Sequence, residues 1–348
     1  MSFTRRQFLG AVATGVAAGA AGAALLPLTR RSHPDEREAR WGRDAYTRAP
    51  RSRVAVLRAT AYDDRLDGIL RHGLALFALD VRGRRVVLKP NLVEFDPNGV
   101  INTHPALVAA AARVFREMGA REVTVAEGPG HRRDNDYLLD ASGLGAALED
   151  AGVPYVDLNT DAVRRVATRA RFTGLSELWL PETIAGADLL VSMPKLKTHH
   201  WAGATLSMKN LFGLLPGTYY GWPKNVLHQR GIPNSIVDIN ASLPVRRFNI
   251  VDGIIGMEGN GPIQGTARRS ELLAFGEDPV AVDATCARLM TLDPLRIDYL
   301  REAEAFLGNV AEERIEMLGE PLDALRQDYR VLDVFAPLKP RSLARGTA

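Results

Sequence analysis

Three lysines and two histidines crowd one stretch of this chain, MPKLKTHHWAGATLSMKN at Met193–Asn210: Lys195, Lys197, His199, His200 and Lys209. No acidic residue occurs between Asp188 and Asp238, while Lys195, Lys197, Lys209, Lys224 and Arg230 give that interval five fixed positive charges. Cations set out without carboxylate partners suit an anion, because ammonium groups, imidazoles and glycine-exposed backbone N–H groups together can surround a carboxylate or a phosphate. The alternative is a solvated loop whose lysines lack partners; the emergence of Lys195 and Lys197 from the end of an apolar run favours the anion site. Burial beside other cations would lower the pKa of Lys209. Lys209 and His199 are therefore the candidates for moving a proton.

Other polar groups stand at the ends of apolar runs: Lys89-Pro90-Asn91, Glu127-Gly128-Pro129-Gly130 and Asp252-Gly253. The expected ligand-binding set is Lys89, Asn91, Lys195, Lys197, His200 and Asn210. His199 and His200 are adjacent and point opposite ways on an extended chain, so one metal can take only one of them. A site of His199, Asp252 and Glu127 would have the mixed nitrogen and oxygen character that suits a divalent metal such as zinc, nickel or iron. The competing reading leaves the histidine binding the anion, or stacking on Trp201, with no metal. Asp252 reads equally as a turn or helix-cap carboxylate. Glu258 sits in a glycine-rich loop, and Asp283 is expected to face water. His104 is expected to cap a helix, whereas His131 and His228 have no evident partner. The sole cysteine, Cys286, spaces like a buried helical residue. One thiol can build neither an internal disulfide nor an iron–sulfur cluster.

The elements that must position these groups follow from periodicity. Short apolar runs at 54–59, 86–91, 123–130, 154–158, 187–200 and 247–259 read as strands, and amphipathic stretches at 63–78, 105–118 and 279–290 as helices. That alternation predicts an α/β fold, a mostly parallel, Rossmann-like sheet in two coupled lobes. Its ligand crevice lies at the strand carboxyl ends, where the four polar clusters should converge. Residues 201–234 have weak periodicity and exceed an ordinary connection, so they read as a long functional loop.

The chain has 348 residues, 46% hydrophobic and 24% charged, enough for a substantial core. Its first segment carries Arg5-Arg6 ahead of an Ala/Gly-rich run, the pattern of a twin-arginine export signal. A cleavage site at Ala21-Gly22-Ala23 and an uncleaved membrane anchor closed by Arg30-Arg31 are the two versions. Both put the protein in the periplasm or another extracytoplasmic space, with the translocation machinery as a partner and the membrane reached only through that segment. The organisation expected is signal or anchor at 1–31, linker at 32–52, main domain at 53–310 and C-terminal extension at 311–348. The net charge of +3 does not call for a nucleic-acid partner.

The series VVLKPNLV, NTHPALVAAAARVFREMGAREVTVAEGPG, DLLVSMPKLKTH, SMKNLFGLLPG, His228 with SIVDIN, and IVDGIIGMEGNGP resembles the family catalogued as domain of unknown function 362. The resemblance runs from about Arg53 to about Gly308. Many members of that family carry a cysteine-rich ferredoxin-type segment, which this chain lacks, so their electron-transfer role does not transfer. A fainter likeness is to the nickel-pincer lactate racemase family, through His199-His200-Trp201-Ala202-Gly203, Lys209 and Pro216-Gly217. It implies a lysine and histidines that hold a cofactor and move protons, although the interval between Gly203 and Lys209 is longer than that family's. Together these readings describe a binder of a small anion, either an enzyme with metal-assisted or proton-transfer chemistry or a delivery protein for an anionic metabolite or metallocofactor.

Overall fold

The apolar runs at strand spacing assemble into one ten-stranded sheet. In chain order its strands are β1 (Ser52–Arg58), β2 (Arg85–Pro90), β3 (Glu122–Glu127), β4 (Tyr155–Asp157), β7 (Leu189–Met193), β8 (Lys195–His199), β9 (Gly203–Thr205), β10 (Arg246–Glu258), β11 (Thr266–Gly276) and β12 (Ile315–Gly319). A separate antiparallel ribbon joins β5 (Val163–Ala167) to β6 (Glu177–Pro181). This computed structural model describes residues 48–130 and 134–340. The twin-arginine segment, the arm up to residue 47, His131 and residues 341–348 lie outside the described residues.

Along the sheet the order is β12-β1-β11-β10-β7-β2-β3-β4, with β8 beside β10 and β9 beside β8. The pairs β1–β12, β2–β3, β2–β7, β3–β4, β7–β10 and β8–β10 are parallel, and β1–β11, β10–β11 and β8–β9 are antiparallel. The fold is thus α/β with a mostly parallel sheet. The strands do not divide into the two lobes expected: they join one continuous sheet, which carries a core layer on each face. One layer gathers Leu70, Leu74, Val108, Phe115 and Phe248; the other gathers Met208, Ile236, Val237, Val282 and Tyr299. Two-faced burial explains why the central strands read as unbroken Val/Leu runs rather than as alternating ones.

Local chemistry sets the helix starts. The helix Pro105–Glu117 opens with Pro105 in its first turn, while His104 Nδ1 accepts from Ala106 N at 3.2 Å. The helix Pro279–Leu289 opens on Asp278, whose carboxylate accepts from Val280 N and Ala281 N. Cys286 is buried in it.

Three features depart from the sequence pattern. Pro194 splits the single run expected at 187–200, because a proline supplies no ladder N–H; β7 pairs with β2 and β10, and β8 crosses to the far half of β10. Residues 201–234 do not form an open loop. They fold into β9, the short helices Ser207–Asn210, Gly217–Tyr220 and Asn225–Gln229, a 3-10 turn at Leu211–Leu214 and the first residues of the helix Ile232–Ser242. Much of this segment is buried, with Leu206, Met208, Leu211, Leu214 and Leu215 in the core. Last, residues from the expected C-terminal extension supply β12, which pairs in parallel with β1. Among the described residues no helix is long and apolar enough to cross a membrane.

Candidate functional site

The carboxyl ends of β2 and β3, together with β8 and the folded segment that follows it, enclose a cavity of about 200 Å³. Lys89 rises from β2 and Glu127 from β3, and their side chains meet at 2.5 Å, both essentially inaccessible to solvent. Glu127 is fully committed: Oε2 also accepts from Leu92 N at 3.1 Å, and Oε1 from Gly128 N at 2.9 Å. Asn210 ties this pair to the segment after β8, accepting from Lys89 Nζ at 3.3 Å and donating to Lys89 O at 3.1 Å and Ser192 Oγ at 3.0 Å. Gly213 must lack a side chain here, since a Cβ would lie 2.2 Å from Glu127 Oε1 and 2.8 Å from Lys89 Nζ.

Three further lysines line the same cavity with no carboxylate bound to them among the described residues. Lys197 Nζ donates to Ile101 O at 2.8 Å and Pro262 O at 3.3 Å. Burial, reinforced by the charges of Lys209 and Lys195, holds its pKa well below that of an ordinary lysine. Lys224 donates to Asn159 Oδ1 at 2.8 Å and to Leu215 O, and burial lowers its pKa to about 7. Lys209 differs from both: it has no hydrogen-bond acceptor among the described residues, and its Nζ lies over the Phe212 ring, 4.4 Å from the centroid. Burial and the nearby Lys89 charge, partly offset by Glu127, lower its pKa to about 8.

The histidines hold opposite tautomers. His199 Nδ1 accepts from Trp201 N at 3.0 Å and Ala202 N at 3.2 Å, so the ring proton sits on Nε2. Burial, with Lys209, His200 and Lys197 adding repulsion, keeps this ring neutral far below its usual pKa. His228 Nδ1 faces Lys224 O at 3.0 Å, and a carbonyl can only accept, so Nδ1 carries the proton and Nε2 keeps its lone pair. Burial lowers its pKa as well. Trp201 stands between them, edge-on to His200 at 4.4 Å and to His228 at 5.7 Å, and is exposed at the mouth. Two buried polar atoms in the cavity wall, Asn91 Oδ1 and Thr205 Oγ1, have no partner among the described residues. Such atoms are rare in folded proteins and mark a place where a ligand or water is expected.

Lys89, Asn91, Glu127, Lys197, His199, His200, Lys209 and Asn210 therefore share one cavity. Lys195 and Asp252 do not. Asp252 Oδ2 takes Lys195 Nζ at 2.7 Å and His104 N at 3.0 Å, and Oδ1 takes Tyr62 Oη at 2.8 Å. Tyr62 stacks on His104 with centroids 3.7 Å apart. This group borders a separate cavity. The metal set of His199, Asp252 and Glu127 is accordingly not brought together, and the chemistry of its members explains why. Both carboxylates are consumed internally, and a metal-bound histidine ordinarily donates from its other nitrogen, whereas His199 Nδ1 accepts twice. No cluster of three metal-ligating side chains occurs among the described residues.

Asp283 also departs from expectation. It is buried, not solvent-facing, and accepts from Ser207 N at 2.7 Å and Met208 N at 3.0 Å, fixing the short helix that carries Lys209 and Asn210. Burial raises its pKa to about 7. Glu258 is bound to Arg330 at 2.8 Å. Sequence reasoning missed Thr205, Lys224 and His228 as site residues. Lys224 and His228 both lie in the acid-free interval, which was the available signal.

The profile of the family described as Domain of unknown function (DUF362) matches residues 86–288. The thylakoid-associated protein of Synechocystis sp. is 29% identical over 266 residues, covering 74% of this chain and 78% of that protein. Among solved structures, a Thermotoga maritima protein is similar at TM-score 0.36 and 14% identity, over 67% of this chain and 60% of its own. The lactate racemase apoprotein from Thermoanaerobacterium thermosaccharolyticum is similar at TM-score 0.41 and 14% identity, over 68% and 57%. The chain thus spans less than two thirds of the length of either solved protein.

Proposed function

The chain belongs to the domain of unknown function 362 family, and from that premise we propose that its central cavity binds a small organic anion and transfers a proton on it. One observation carries this reading: four lysines converge on a small cavity whose one carboxylate among the described residues, Glu127, is already held by Lys89 and two backbone amides. Buried ammonium groups without counter-ions are costly. An anionic ligand supplies the missing charge and, by raising the pKa of Lys209 and Lys224, draws protons onto them.

Proton transfer falls to the groups whose nitrogen is free to take one. His228 Nε2 is a base held in orientation by its Nδ1–H, and Lys209 is partly neutral near pH 8. His199 offers Nε2–H as a donor to a ligand oxygen and, as the Nε2–H tautomer, does not serve as the base there. Asn91 and Thr205 supply uncommitted polar atoms to orient the ligand.

Calorimetric titration of the full chain with small mono- and dicarboxylates and phosphate esters tests the reading. At least one should bind saturably to the native protein and at least tenfold more weakly to a Lys197→Met/Lys209→Met double variant. A panel with no binder at millimolar concentration rejects it. If the twin-arginine pattern at Thr4–Gly10 operates, the ligand is met outside the cytoplasm, and cell fractionation against an Arg5→Lys/Arg6→Lys variant would report that separately. A delivery role would show as tight binding without turnover.

A further inference from the structure

The four lysines of the cavity are not equivalent, and their differences narrow the ligand. Lys89 is bound to Glu127, Pro90 O and Asn210 Oδ1. Lys197 serves two backbone carbonyls, and Lys224 serves Leu215 O and Asn159 Oδ1. Only Lys209 reaches the cavity with no acceptor among the described residues, its amine resting against the face of Phe212. The short helix under it is pinned from below by Asp283, so the amine is presented by a fixed backbone.

We propose that Lys209 is a nucleophile that forms a reversible imine with a small 2-oxo carboxylate. This rests on the anion reading above and deepens it. The carbonyl carbon would sit at Lys209 Nζ while the adjoining carboxylate meets the donors around it. The neutral amine adds its lone pair to the carbonyl carbon, forming the N–C bond as the C=O π pair moves to oxygen, and one proton passes from the nitrogen to that oxygen to give a carbinolamine. The oxygen then takes a second proton and leaves as water as the restored nitrogen lone pair closes the C=N bond. The sum is one amine, one carbonyl and one proton going to one iminium and one water, with no oxidant or reductant required. The proton comes from solvent by way of His228 Nε2.

Lys209 is singled out by what the other lysines would lose. An iminium nitrogen keeps one hydrogen, so imine formation at Lys197 or Lys224 would strip buried carbonyl oxygens of their donors, which is costly. At Lys209 no hydrogen bond is broken. The lowered pKa leaves a useful fraction of neutral amine near pH 8, and cationic neighbours disfavour protonation of the free amine while welcoming the carboxylate. A cavity of about 200 Å³ suits an acid of a few carbons.

The test is reductive trapping. The full chain is incubated at pH 8 with pyruvate or 2-oxoglutarate and sodium cyanoborohydride, then digested and mapped by mass spectrometry. The expected result is an adduct on Lys209 at more than ten times the occupancy of any exposed lysine. It should saturate with 2-oxo acid, fall when excess lactate competes, and vanish from that position in Lys209→Arg, which keeps the charge. Labelling spread evenly over surface lysines, or none at Lys209 with either acid, overturns the imine. Calorimetry on the same samples separates the two failures: saturable binding of pyruvate or lactate without an adduct rejects the imine and leaves the anion site standing. No binding of either acid and no adduct rejects both for this substrate class.

Discussion

Lys195 and Lys197 sit two residues apart on β8, yet they belong to two different kinds of polar cluster. Lys195 is closed off. Asp252, Tyr62 and the backbone N–H of His104 satisfy one another around it, and Tyr62 stacks on the His104 ring. Lys197 is open: among the described residues its partners are carbonyl oxygens, and it faces a cavity shared with Lys209, Lys224, His199, His200 and His228. The register between β8 and β10 shifts between Asp252 and Met257, which lets neighbouring lysines of one strand reach different surroundings. The contrast shows that a buried lysine by itself says little about function. A network whose donors and acceptors already match stiffens the fold, whereas one left short of negative charge has charge to offer an anion, as proposed above.

The sharpest way to break that comparison is to remove the acid from the closed cluster and a cation from the open one. Asp252→Ala should cost about 3–5 kcal/mol of stability, because it leaves a buried lysine uncompensated. Lys197→Met should cost about 1 kcal/mol or less, since relief of an unpaired buried cation offsets the loss of two hydrogen bonds to carbonyls. Urea unfolding of both variants checks the ordering, and equal losses would erase the distinction. Gly213→Ala comes next, at about 1–3 kcal/mol, because the new methyl must wedge against Glu127 and Lys89. It should also weaken anion binding, which Lys89→Met alone would reproduce if that pair shapes the cavity.

Acidity then sharpens the open side. With Lys224 near 7 and Lys209 near 8, anion affinity should fall as pH rises through that range, by up to about tenfold per pH unit. Binding at pH 8 should take protons up from buffer, visible as a binding enthalpy that changes with the buffer's ionisation heat. A pH-independent affinity between 6.5 and 9 would count against these amines as ligand groups. The smallest effect concerns Asp283. Its pKa is raised from 3.8 to about 7, so the folded state binds the extra proton between those values. Its contribution is fully present below pH 3.8 and is lost as pH climbs to about 7. Asp283→Asn should flatten that slope in a stability profile and leave the rest unchanged.

Much of this was legible in the chain itself. The Val/Leu runs and the helix Pro105–Glu117 announced an α/β fold, because two-faced burial and helical capping leave periodic, local marks. The acid-free interval announced a cation-rich site, since a charge deficit is a property of composition. The compact folding of residues 201–234 left weaker marks: its turns are short, and its stability comes from packing against the sheet rather than from any repeat. His228 lay within the acid-free interval, but its tautomer was not readable, since that depends on a hydrogen bond to Lys224 O.

The sequence by itself determined which charges are present, that they are short of acids, and that Lys89 and Glu127 would stand at strand ends. Only the tertiary structure decided which acid pairs with which lysine. Asp252 and Glu127 lie 125 positions apart and were equally plausible partners for His199, yet pairing depends on where β8 leaves β7 at Pro194 and which neighbour it then meets. Burial depth and side-chain reach are properties of the folded surroundings, and they separate a satisfied lysine from one that meets no acceptor among the described residues.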